Sequence, residues 1–224
     1  TDDFFMLEAG GAACQQLVCD LVSTRLPRSY GLDPVRDIQV LCPSRKGLLG
    51  TEAMNGMLQQ LLNPPGPGRS ELRRGNRVWR KGDKVMQTCN DYDLQYERQD
   101  GENGAGVYNG DIGYIEQVDP SEPALRVRFD DRVVVYAAEQ IEELEPAYAV
   151  TIHKSQGCEF PAVVIPVAET PQKLQYRNLL YTGVTRARSL CVLPGRRATV
   201  RAMVANDRHQ LRYSCLARML ADET

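Results

Sequence analysis

Residues 147–168 read AYAVTIHKSQGCEFPAVVIPVA. The runs YAVTI and AVVIPVA are apolar and rich in β-branched residues, the composition of strands buried on both faces. Between them stand His153, Lys154, Ser155, Gln156 and Gly157, a dense set of polar donors at the end of a strand. The stretch decides the fold because it resumes a pattern that breaks off some eighty residues earlier.

At the start of the chain, DFFMLEAGG (3–11) predicts a strand. CQQLVCDLVSTRL (14–26) follows with apolar Leu17, Val18, Leu21 and Val22 at helical spacing. RDIQVLCPS (36–44) predicts a second strand. TEAMNGMLQQLLNPP (51–65) predicts a second amphipathic helix, with Thr51 as N-cap and Pro64 as the stop. This β-α-β-α order implies a parallel sheet covered by helices. After residue 168, KLQYRNLLYTGVTRA (173–187) reads as a helix and SLCVLPG (189–195) as another strand.

The Pro/Gly-rich connection NPPGPGRSELRRG (63–75) separates the two halves from a segment of different period. RVWRKGDKVMQTCNDYD, VYNGDIGYIEQVD, ALRVRFDD and RVVVYAAEQIEELE are short alternating runs, joined by turns at Gly82-Asp83, Asn109-Gly110 and Asp130-Asp131. About five short strands are expected there, as a small barrel of the SH3-like or OB-like kind. The polar, Gly-rich YERQDGENGAGV (96–107) reads as a mobile loop. The predicted fold is therefore α/β, with a parallel sheet built from residues 1–70 and 147–224 and a β-barrel inserted over 71–146.

The charged fraction of 25% and the absence of a long apolar run predict a soluble protein with no membrane span, and nothing at the start reads as a signal peptide. Seven scattered cysteines without a C-x-x-C pair predict small core residues in a reduced, cytoplasmic setting. Two histidines give no basis for a structural zinc site, and no metal site is expected on this chain. The net charge of −2 excludes a globally basic nucleic-acid binder. Its distribution is uneven: residues 71–146 carry 10 basic and 17 acidic side chains, whereas 147–224 carry 11 and 5. A polyanion would be drawn to the last third.

Ligands of parallel α/β sheets bind at strand carboxyl ends, where HKSQG is predicted to lie. Its four polar side chains and Gly157 suit a phosphate, although a solvated loop has the same composition. LCPSRKG offers Ser44, Arg45 and Lys46, and NLLYTGVTRARSL offers Arg186 and Arg188 beside core-facing Leu180, Val184 and Ala187. Three basic loops on one sheet edge would together suit a polyanion. No G-x-x-x-x-G-K-[S/T] occurs in the 224 residues, and no apolar strand ends in an Asp-Glu pair suited to Mg²⁺.

TIHKSQGCEF resembles motif V of superfamily 1 helicases, and NLLYTGVTRAR resembles motif VI, in the forms of the RecD-like subgroup. DIQVLCPSRKG with LGTEAMNGMLQQLLNPP resembles the motif IV region. RVWRKGDKVMQTCNDYD and YNGDIGYIEQVD resemble the SH3-like insertion between motifs IV and V. The segment from Tyr96 to Gly106 is longer than the family's usual connection.

The resemblance implies the second RecA-like motor domain (2A) with an SH3-like 2B insertion. It implies ATP with Mg²⁺, bound mainly by an N-terminal RecA-like domain that carries the Walker A motif and is outside this sequence. The implied partners are that domain and single-stranded DNA, and the implied activity is 5′ to 3′ translocation in DNA repair or recombination. Carried over by position, Arg186 is the arginine finger. Arg45, with Lys46 beside it as the alternative, is the motif IV arginine, and Gly157 and Glu159 lie near the nucleotide. Thr151, His153, Lys154, Ser155, Gln156 and Thr182 fall at DNA-contacting or coupling positions. Tyr181 and Thr185 belong to the same motif VI, where a core tyrosine is equally compatible with the sequence. The other reading is a non-catalytic module in which the acidic barrel docks a basic protein partner or nucleic acid.

Overall fold

The computed structural model describes residues 3–67, 70–98, 100–121 and 124–207. Cys215 and three of the basic residues counted in the last third, Arg208, Arg212 and Arg218, lie outside the described residues.

The first half forms β1 (Phe4–Glu8), α1 (Gly11–Asp20), α2 (Leu26–Tyr30), β2 (Ile38–Cys42) and α3 (Thr51–Leu62). A π-helical turn, Leu21–Arg25, joins α1 to α2. The last part forms β12 (Ala149–Thr151), β13 (Phe160–Val164), α4 (Arg177–Val184), β14 (Ala187–Gly195) and α5 (Arg197–Ala205). These five strands make one all-parallel sheet in the order β1-β14-β13-β2-β12.

Side chains alternate across this sheet. Ile38, Val40, Cys42, Ala162, Val164, Leu190 and Val192 pack under α1 and α3, while Leu41, Val163, Ile165, Cys191 and Leu193 pack under α4 and α5. Both faces are therefore buried, as the apolar runs require. Among the described residues β12 has a strand partner on one side, and on the other the Asn55 side chain of α3 takes up its hydrogen bonds at Ala149. That side chain donates to the Ala149 carbonyl and accepts from the Ala149 N–H, both at 2.8 Å.

The helix predicted over 173–187 is shorter. Gln172–Leu174 is a 3₁₀ turn and α4 starts at Arg177, because Leu174 and Tyr176 are used for packing against the core instead. Thr51 is not the N-cap of α3; Gly50 is. The first helical N–H groups are satisfied by the preceding loop, Thr51 donating to the Ser44 carbonyl and Glu52 to that of Arg45, each at 3.1 Å. Among the described cysteines Cys14, Cys19, Cys42 and Cys191 are buried as expected, but Cys89 is exposed. No helix among the described residues is long and apolar enough to cross a membrane.

Residues between the halves form a hairpin, β3 (Glu71–Arg74) with β4 (Arg77–Arg80), and a seven-stranded antiparallel sheet. Its strands are β5 (Lys84–Gln87), β6 (Asp91–Arg98), β7 (Asn103–Val107), β8 (Ile112–Asp119), β9 (Ala124–Phe129), β10 (Arg132–Tyr136) and β11 (Leu144–Pro146). The separate core holds Trp79, Leu125, Val127, Phe129 and Tyr136. The predicted turns are present, with Asp130 at φ 44° between β9 and β10. Among the described residues nine strands, β3–β11, stand where about five were expected: the supposed mobile loop is the β6–β7 hairpin, and β3 and β11 add two more. Tyr96 lies directly across from Gly104, and its ring occupies the space a Cβ there would need. Arg98 and Arg132 stack on the same ring at 5.6 and 5.5 Å.

Two buried groups fasten the barrel to the sheet. Asp83, 1% exposed, accepts hydrogen bonds from Gln59 of α3, Asn63 at its C-cap, Tyr148 just before β12, and the Arg80 N–H, at 2.7–2.9 Å. Lys84 donates to the Val35 carbonyl at 2.8 Å and lies 5.7 Å from the Phe160 ring centre. Burial pushes its ammonium down to about 8, with Asp33 and Asp37 opposing. Between about pH 8 and the ordinary lysine value of 10.5 the unfolded chain thus binds the proton that the folded one has lost. Stability contributed by this site rises with pH across that window. Denaturant unfolding of wild type and Lys84→Met should show the difference between them growing in favour of wild type from pH 8 to 10.5. A pH-independent difference would contradict the lowered value.

Candidate nucleotide and nucleic-acid interface

β12 ends in a chain of tight turns. Lys154 N–H donates to Thr151 Oγ1 at 3.2 Å, Ser155 N–H to the Thr151 carbonyl at 3.2 Å, and Cys158 N–H to the Ser155 carbonyl at 3.1 Å. Gly157 sits at φ +87°, a left-handed conformation that side chains disfavour, and it turns the chain towards β13. Ser155 is fully buried and its hydroxyl donates to the Ile152 carbonyl at 2.8 Å. Its expected DNA contact is therefore corrected: the hydroxyl is used up in closing the turn. His153 and Gln156 are exposed, with His153 Nε2 3.2 Å from the Tyr176 hydroxyl.

This crossover spans the sheet. Thr151 stands level with Cys42 of β2, whereas Phe160, by the β13 register, stands level with residue 36. Six residues at about 3.3 Å each separate the two edges by roughly 20 Å. The basic loops consequently do not share one edge, as the sequence reading had them. Ser44, Arg45, Lys46 and the start of HKSQG lie at strand carboxyl ends. Arg186 and Arg188 flank the start of β14, at the amino edge, as any residue opening a parallel strand beside Phe160 must.

At the carboxyl edge Arg45 and Lys154 meet a residue the motif reading missed. Glu145 of β11 accepts from Lys154 Nζ at 2.8 Å and Arg45 Nη2 at 2.9 Å, and Arg77 Nη2 of β4 is 3.6 Å away. Burial alone would raise this carboxyl, but the Lys154 hydrogen bond and the charges of Lys154, Arg45 and Arg77 outweigh it and hold it below its ordinary value. Beside the cluster lies a cleft of about 360 Å³ between the sheet and the barrel, lined also by Thr51, Asn55, Asn76 and Thr151. Arg45 is thus separated from Arg186 by the height of the sheet. In this structure its guanidinium lies beside this cleft, on Glu145.

At the amino edge Arg186 is half-buried against its own neighbours. Nη1 donates to the Cys158 carbonyl at 3.0 Å, Nε to the Thr182 carbonyl at 3.2 Å, and Nη2 to Thr185 Oγ1 at 3.2 Å. A guanidinium has five N–H groups, so one on each of Nη1 and Nη2 is left for an anion such as phosphate. Gly157 and Glu159 lie on the adjoining end of the crossover, with the Phe160 N–H donating to the Arg186 carbonyl at 2.9 Å. Glu159 pairs with Arg188 at 3.2 Å, both exposed, an interaction worth at most about 1 kcal/mol and easily exchanged. Thr182 bonds back to the Asn178 carbonyl at 2.8 Å within α4, and Tyr181, 68% exposed, is no core tyrosine. Among the described residues no group of three or more His, Cys, Asp or Glu side chains converges on a metal site.

A family model of the ATP-dependent RecD-like DNA helicase SH3 domain matches residues 54–129, and one of the UvrD-like helicase C-terminal domain matches residues 146–193. The ATP-dependent RecD2 DNA helicase of Deinococcus radiodurans is 33% identical over 184 residues, covering 82% of this chain and 24% of that protein. The RecBCD enzyme subunit RecD of Mycolicibacterium smegmatis is 30% identical over 182 residues, covering 81% of this chain and 29% of its own length. The chain therefore spans about a quarter of the length of these relatives. Among solved structures, the Bacteroides Pif1 helicase in complex with ADP-AlF3 and ssDNA superposes with a TM-score of 0.52 at 19% identity, over 93% of this chain and 49% of that one, a likeness of fold. The chain belongs to the RecD-like superfamily 1 helicases and corresponds to a C-terminal portion of them, a RecA-like α/β domain interrupted by an SH3-like module.

Proposed function

We propose that this chain is the second motor domain of an ATP-dependent DNA helicase that moves 5′ to 3′ along single-stranded DNA, with domain limits at 1–70, 71–146 and 147–224. ATP with its Mg²⁺ is held mainly by an N-terminal RecA-like domain bearing the Walker A motif. The amino edge of the present sheet closes on it, and Arg186 reaches the transferred phosphoryl group as its charge spreads. Single-stranded DNA lies at the carboxyl edge, where Thr151, Lys154 and Arg45 line the cleft under the barrel. Backbone phosphates would make its binding sequence-tolerant and salt-dependent.

The observation that carries this reading is the crossover of residues 152–159. One short, tightly turned segment runs from Lys154 in the cleft to the carbonyl of Cys158 on Arg186. A shift of either end is transmitted through a chain of backbone hydrogen bonds, which suits a segment that links strand position to nucleotide state.

The 224-residue chain alone should show no ATP hydrolysis, with or without single-stranded DNA. DNA-stimulated turnover by the purified chain, lost on Arg186→Ala, would contradict the need for a partner domain.

A further inference from the structure

Glu145 stands where an anion belongs. Its carboxylate is only 24% exposed and comes from the barrel, yet two of its three cationic partners, Arg45 and Lys154, come from loops of the parallel sheet. Arg77, the third, also donates from Nη1 to the Leu144 carbonyl at 2.7 Å, which holds it at the cluster. These cations and Asn76 border the same cleft as Thr51 and Asn55. An incoming phosphodiester has the same charge as this carboxylate and accepts from the same donors.

We propose that Glu145 is an internal competitor for phosphate: it occupies Arg45 and Lys154 when the cleft is empty and must give them up when a strand enters. The carboxylate therefore sets a threshold for binding and ties the barrel to the sheet in the strand-free state. Release of its two sheet-borne partners would loosen this one contact between barrel and sheet as the strand loads, while those of Asp83 and Lys84 stay in place. This inference rests on the reading that the cleft takes a nucleic-acid strand.

The test uses the 224-residue chain and a short fluorescein-labelled oligothymidylate, with anisotropy read at several salt concentrations. Glu145→Gln, which keeps the shape and removes the charge, is expected to bind at least about fivefold more tightly. The slope of log affinity against log salt should steepen by about 0.7, as for one further phosphate contact on a single strand. Glu145→Ala should behave in the same direction, so a defect peculiar to either replacement is recognised. A merely structural Glu145 would lower the melting temperature and leave the salt slope unchanged. Lys154→Ala separates the two claims. If it weakens binding while Glu145→Gln changes neither affinity nor slope, the competitor role is overturned and the cleft reading stands. If Lys154→Ala has no effect, or none of the proteins binds the oligonucleotide, both are overturned.

Discussion

Replacing Arg186 by alanine in the complete helicase polypeptide is expected to lower ATP hydrolysis by about three orders of magnitude or more, with ATP binding nearly unchanged. The asymmetry follows from the place proposed for the guanidinium. Charge spreads over the transferred phosphoryl oxygens only in the transition state, so a donor presented across the cleft lowers the barrier without adding much to ground-state affinity. The side chain is already oriented by Thr182, Thr185 and Cys158. Arg186→Lys cannot reproduce that planar fork, and should therefore remain strongly impaired although the charge is kept. Steady-state hydrolysis and equilibrium nucleotide binding, measured side by side, check both parts. A variant with a normal rate would remove the finger role from Arg186.

Asp83→Ala is expected to lower the unfolding free energy by about 3 kcal/mol or more, because buried donors left without an acceptor cost about 1–3 kcal/mol each. Gln59, Asn63, Tyr148 and the Arg80 N–H all lose their shared partner in this change, and they belong to both parts of the molecule. Burial holds the Asp83 carboxyl above its ordinary value despite these four bonds. Its folded form thus keeps a proton that the unfolded chain has already released, so its contribution to stability declines as pH rises above the usual aspartate range. Denaturant unfolding followed by tryptophan fluorescence reports on this junction, since Trp79 lies one residue from Arg80 in the barrel core. A loss below about 1 kcal/mol would mean that the donors find other partners, and the network would not be the fastening it is described as.

The parallel sheet was legible because its strands announce themselves. VLC of β2 and AVVIP are apolar at successive positions, which only a sheet covered on both faces can use. The barrel's alternation was equally plain in ALRVRF, whose burial follows period two along the strand. Residues 96–107 misled because glycine and polar residues signal a loop locally, whereas Tyr96 over Gly104 is a cross-strand contact with no trace in composition. The site was half legible. Motif resemblance picked out Lys154 and Arg186, but grouping the basic loops on one edge ignored the direction of the strands. Arg186 precedes β14 and Lys154 follows β12, which in a parallel sheet puts them at opposite ends. Glu145 escaped notice inside the acidic run EELE, where Glu142 and Glu143 look the same as it does. Only the fold distinguishes the one that faces Arg45 and Lys154.

In the proposed function, nucleotide chemistry and strand binding occupy opposite edges of this sheet and are joined by residues 152–159. The direct measurement is ATP hydrolysis by the complete helicase polypeptide as a function of single-strand concentration, for Arg186→Ala and Lys154→Ala separately. The expected result is that Arg186→Ala abolishes turnover at every DNA concentration and leaves DNA affinity intact. Lys154→Ala should raise the DNA concentration for half-maximal stimulation and approach the normal rate at saturation. The account is contradicted if Arg186→Ala weakens DNA binding while sparing turnover, or if Lys154→Ala abolishes turnover even at saturating DNA.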